Sequence, residues 1–171
     1  MKKVLITLAC LPVLWFALAA FMPSKAVISR NLDIMAPAED VFTQFNNLHH
    51  WKNWSYWDQA DPKMQSSYAG PEAGVGSSHT WTSESMGNGT LTIVESTPPT
   101  GIKYQLQIDG MEPAWGNISL MGRGNDLQVT MGLEMPLPLW GRPLGPFMDQ
   151  LMGPDFEASL KGLKATCEKT N

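Results

Sequence analysis

Cysteine is almost absent: in 171 residues only Cys10 and Cys167 occur, one near each end. That pattern excludes a disulfide-stapled scaffold. None is needed, because about 150 residues bury roughly two-thirds of the surface they expose when unfolded. Charge is scarce as well, at 16% against the roughly 25% usual in soluble domains. Once Lys2 and Lys3 are set aside, ten basic residues face 16 acidic ones, a formal charge of −6. The basic residues are scattered with no run of three, which excludes nucleic acid as a partner and disfavours binding to an anionic surface. No Ser-His-Asp, Cys-His or paired-carboxylate signature is legible. Gly74-Val75-Gly76 lacks the lysine and following Ser or Thr of a phosphate loop and reads as a turn. Nothing in the sequence calls for a cofactor or a metal, and the length predicts one domain.

Part of the charge deficit is local. Val4 to Met22 is a run of nineteen uncharged residues behind Met1-Lys2-Lys3. Residues 1–22 fit a transmembrane anchor, since roughly 20 apolar residues span a bilayer. They fit a cleavable signal peptide equally, because Ala17-Leu18-Ala19-Ala20 supplies small residues for cleavage near residue 19. In both readings the two lysines hold the N-terminus inside. The folded domain, residues 26–171, is then expected outside the cytoplasm, on the periplasmic face of an inner membrane or, after cleavage, periplasmic or secreted. Thr7 stands where a lipid-attachment box before Cys10 needs an aliphatic residue.

From Ala26 onward the pattern predicts one domain without repeats. Val27 to Ile34 alternates as a strand ending at Ala36-Pro37, and Ala38 to Asn46 reads as a short helix, with Glu39 and Asp40 at its N-terminus and Val41, Phe42 and Phe45 on its apolar face. Leu48 to Trp54 adds another turn, which Asp58 to Pro62 ends. A meander of antiparallel strands follows. Its clearest members are Ile102 to Asp109 and Leu127 to Met135, where apolar and polar residues alternate. Pro136 to Pro146, rich in proline around Trp140, reads as a structured loop. Phe147, Leu151, Met152, Phe156, Leu160, Leu163 and Cys167 then recur at helical spacing, with Gly153-Pro154 predicting a kink or two consecutive pieces. The order predicts an α+β domain in which a curved antiparallel sheet wraps one long C-terminal helix.

Several stretches carry a resemblance. They are Ile34 to Phe42 after the first strand, Trp51-Lys52-Asn53-Trp54-Ser55-Tyr56-Trp57 with Asp61-Pro62, and Tyr68-Ala69-Gly70-Pro71 with Gly74-Val75-Gly76. Trp81, Asp155-Phe156-Glu157 and Leu160-Lys161-Gly162-Leu163-Lys164 complete the set. Together they make residues 27–169 resemble the START-like, helix-grip superfamily, in particular its polyketide cyclase/dehydrase and lipid-transport group and bacterial members with an N-terminal membrane segment. Family members often have proline where Tyr56 stands. The resemblance implies a helix-grip fold with a cavity for a hydrophobic or amphipathic small molecule or lipid. It implies no particular reaction, because the scaffold hosts enzymes, carriers and sensors.

In such a fold the tryptophans gain meaning: of seven, Trp51, Trp54 and Trp57 recur every three residues beside the early helix, and Trp140 sits in the proline-rich loop. They fit an aromatic rim around an apolar ligand, or plugs of a filled core. Met131 and Met135 on a strand, opposite Met148 and Met152 on the helix, fit either an adaptable pocket or gap filling. His49-His50 reads as a polar helix end. His79, two residues before Trp81 and on the same face, is the best single candidate for a general base. The candidate ligand-binding set is Trp54, Trp57, His79, Trp81, Tyr104, Leu106, Met131, Trp140, Met152 and Phe156. Ligand binding leads the functional expectations. A cyclase- or dehydratase-type enzyme using His79 with Tyr104 as hydrogen-bond donor is the alternative, and a non-catalytic interaction module at a membrane is the third.

Overall fold

The structure is a computed structural model and describes residues 14–168. The N-terminal anchor or signal reading therefore lies largely outside the described residues, as does Cys10. Residues 14–20 are helical. Among the described residues no helix is long and apolar enough to cross a membrane.

Eleven-residue β1 (Lys25–Met35) leads through Pro37 into α1 (Ala38–Asn46), whose Val41, Phe42 and Phe45 are buried as their spacing requires. A 3₁₀ turn (Leu48–Asn53) follows, started by Asn47, whose side chain accepts from the His49 N–H. Next comes a helix absent from the sequence-based expectation, α2 (Tyr56–Ala60), capped by Ser55. Strands β2 (Gln65–Ala69), β3 (Ser78–Thr82), β4 (Gly89–Thr97), β5 (Gly101–Ile108), β6 (Ala114–Arg123) and β7 (Asp126–Pro136) then run as a meander. The loop after β7 contains a 3₁₀ turn (Leu139–Leu144), and α3 (Gly145–Glu168) closes the domain.

Among the described residues the seven strands form a single antiparallel sheet in the order β1-β7-β6-β5-β4-β3-β2. β1 returns to pair with β7, and α3 lies across that pair, packed chiefly on β1. Ile28 and Ile34 of β1, Val129 and Met131 of β7, and Phe156, Leu160 and Leu163 of α3 form the centre of the core, all essentially without solvent exposure. Arg30, on the same row of β1 as Ile28, turns its guanidinium onto α3. There it makes paired bonds of 2.7 and 2.9 Å to Asp149 and one of 3.1 Å to Glu157.

α3 is one helix through Gly153-Pro154, not two pieces. The carbonyl that Pro154 leaves without its helical partner belongs to Gln150; both residues are exposed, where solvent can replace the lost bond and the helix continues. Tyr56 opens α2 at the first helical position, where proline is favoured because its missing N–H is not needed. Here the N–H has a use: it donates to Ser159 Oγ at 3.0 Å and ties α2 to α3.

Candidate functional site

Between the concave face of the sheet and α3 lies a cavity of about 420 Å³. Two close approaches on the sheet help to keep it open. Trp81 pairs across the ladder with Gly89, and Tyr104 with Gly116. In each pair the aromatic ring lies where a side chain on the glycine would stand: a Cβ on Gly116 would come 2.0 Å from the Tyr104 ring, and one on Gly89 2.4 Å from the Trp81 indole. The rings lie flat on the sheet instead of filling the space in front of it. The remaining wall is apolar, with Leu91, Leu106, Met131 and Leu133 from the strands, Trp51 and Trp57 from the early helical turns, and Met152 and Phe156 from α3.

The polar points in that wall are few. His79 on β3 is buried. Its Nε2 shares a 2.9 Å hydrogen bond with Ser66 Oγ of β2, and its Nδ1 lies 4.0 Å from Asp58 Oδ1 of α2. The imidazole stacks on Tyr68, its cross-strand partner, at 4.7 Å and 13°, and Tyr68 stacks in turn on His49 at 3.9 Å. Burial pushes Asp58 above the usual carboxylate range, against the Ser55 hydrogen bond and the charge of His79. Burial likewise pushes His79 below its ordinary 6.5; Asp58 opposes this shift and His49 adds to it. Tyr104 is almost fully buried and its hydroxyl pKa is raised by burial. Asp155 of α3 also lines the cavity and is raised for the same reason. Asp58 and His79 have thus moved towards each other from either side, which suits two groups that exchange a proton. Among the described residues no group of three or more His, Cys, Asp or Glu could hold a metal.

The family of polyketide cyclase/dehydrase and lipid transport proteins matches residues 25–168, most of the chain. The chain belongs to this family. No curated protein matches it in sequence. Among solved structures, norcoclaurine synthase from Thalictrum flavum in complex with dopamine and hydroxybenzaldehyde is similar at a TM-score of 0.63 and 15% identity, over 90% of this chain and 91% of that one. A protein of Chromobacterium violaceum gives 0.59 and 18%, over 83% and 96%. The di-domain aromatase/cyclase StfQ of the steffimycin pathway gives 0.63 and 11%, over 85% of this chain and 51% of that one. These likenesses support the helix-grip fold.

In this member of the polyketide cyclase/dehydrase and lipid-transport family, the structure brings together Trp57, His79, Trp81, Tyr104, Leu106, Met131, Met152 and Phe156 around one cavity. Two other residues of the expected set stand elsewhere. Trp54 is packed inside the core, its indole donating to the Gln44 carbonyl at 3.1 Å. Trp51, three residues earlier, lines the cavity in its place: the 3₁₀ turn ends at Asn53, and Trp54 stands beyond it in non-helical backbone that turns its indole into the core. Trp140 is 61% exposed on the loop after β7, away from the cavity wall. Asp58 was missed because the sequence reads Asp58 to Pro62 as the end of the preceding helical turn. The signal that could have found it is Ser55 three residues ahead, a helix-capping spacing.

Proposed function

We propose that the domain binds a hydrophobic or amphipathic small molecule, such as a lipid, in the cavity between sheet and α3, and does so outside the cytoplasm. The observation that carries this reading is an open space of about 420 Å³ with an aromatic, aliphatic and methionine wall broken by a few convergent polar groups. Ligand sites have this composition. The test is native mass spectrometry of the full chain released from neutral detergent, alongside Leu106→Trp, which fills the space from a half-buried strand position. A bound species of defined mass in the natural chain that is lost in the variant is the expected result. An unliganded chain, or equal occupancy in both, overturns the reading.

The compartment follows from the uncharged run Val4 to Met22 behind two lysines. It is supported by a surface at one end of the domain, where Leu139, Trp140, Leu144, Phe147 and Leu151 are all exposed. The indole of Trp15 donates to the Trp140 carbonyl at 3.0 Å. Trp15, in the described part of that run, thus stands against this surface, whose natural occupant is the lipid interface that the run would enter.

A second reading, acid–base catalysis on the bound molecule, is favoured by one observation: Asp58 stands beside His79 in the same cavity as Tyr104. His79 would take a proton from the substrate, Asp58 would hold the imidazolium that forms, and the Tyr104 hydroxyl would donate to a carbonyl.

A further inference from the structure

Among the described residues, the wall of the cavity contains carboxylates but no lysine or arginine. Asp58 and Asp155 line it, and several basic side chains are held by carboxylates elsewhere in the fold. Arg30 is held by Asp149 and Glu157, Lys25 by Glu134, Lys103 by Glu95 and Lys164 by Glu168. The Asp58 side chain is only 9% exposed, and the one basic group beside it is His79, at 4.0 Å. Burial favours the neutral imidazole, so near neutral pH the carboxylate has no full positive charge facing it. The same cavity is lined by Trp57, Trp81, Tyr104 and Phe156, aromatic rings of the kind that attract cations.

Resting on the ligand-binding reading above, we infer that the cavity selects an apolar molecule carrying a protonated amine, seated at Asp58, and rejects fatty acids and other anionic amphiphiles. An ammonium there gains a charge-assisted hydrogen bond within an aromatic cavity, and gives a buried carboxylate, until then held by Ser55 and His79, a full positive partner. A carboxylate or phosphate head would meet the like charge of a side chain only 9% exposed, with no lysine or arginine among the described wall residues to offset it.

Isothermal titration calorimetry of the full chain with 4-phenylbutylamine, 4-phenylbutanol and 4-phenylbutanoate separates the head groups on one tail. The amine is expected to bind at least about tenfold tighter than the acid, with the alcohol between them, since a charged hydrogen bond contributes about 1.5–3 kcal/mol. Asp58→Asn should weaken the amine about tenfold and change the alcohol less than about twofold. The ranking in the natural chain stands as a test even if that variant does not fold. Binding of all three with the acid equal to or tighter than the amine overturns the inference and leaves the cavity reading intact. Failure of all three to bind overturns both.

Discussion

Asp58 and His79 are small targets with measurable behaviour. Burial holds the His79 pKa below 6.5 and Asp58 pulls it back up. Nuclear magnetic resonance titration should therefore find His79 below 6.5, and lower still in Asp58→Asn, where the upward pull is gone. A midpoint that rises in the variant would show that the two side chains do not face each other. Stability follows with a definite sign. The unfolded chain takes a proton on His79 more readily than the folded one, so this group reduces stability as pH falls through about 6.5. Asp58 is raised above 3.8, so its penalty is present at higher pH and is relieved as pH falls towards 3.8. Replacing His79 by Gln should flatten the stability profile between about pH 7 and pH 5, as read from urea midpoints at each pH. A profile that steepens there would refute this sign.

At the scale of elements, the helical turns before β2 are held to α3 by few contacts. One is the close approach of Gly162 to the backbone of Trp54. A Cβ on Gly162 would come 2.3 Å from the Trp54 carbonyl oxygen. Alanine gains about 1 kcal/mol of helix propensity over glycine, but overpacking against rigid backbone costs about 1–3 kcal/mol. Gly162→Ala should lose about 1–2 kcal/mol in urea unfolding, and a stabilised variant would show that the two elements separate easily. The regular elements were legible in the sequence because each carries its period over a long span. Ile102 to Asp109 alternates strictly, α1 falls at residues 38–46 as expected, and the α3 stripe is buried from Phe156 to Cys167, while its first members Phe147 and Leu151 are exposed. α2 was not, since five residues are too few for periodicity to register, and its loss hid Asp58. Gly89 and Gly116 carry no sequence signal of their part in the cavity. Their role depends on which residue faces them, and pairing register supplies that.

For the whole molecule, the family and fold follow from residues 25–168, while the working location depends on the end that carries Trp140. If that end meets a bilayer, Trp140 fluorescence in vesicles containing brominated lipid should be quenched. Trp140→Phe should then lose a quenchable part of the emission. Equal quenching in both proteins would place this surface in water.

The two rings laid over Gly89 and Gly116 have a consequence for how such a domain diversifies. The volume offered to a ligand is governed partly by two backbone positions lying behind the rings, on the far side from any bound molecule. A single methyl group on Gly116, whose nearest neighbours are all atoms of the Tyr104 side chain, would push that ring forward and shrink the chamber, leaving every side chain in its wall chemically unchanged. Size preference and chemical preference are therefore separately mutable here. Related chains can drift in what they accommodate while keeping the same acidic, aromatic lining.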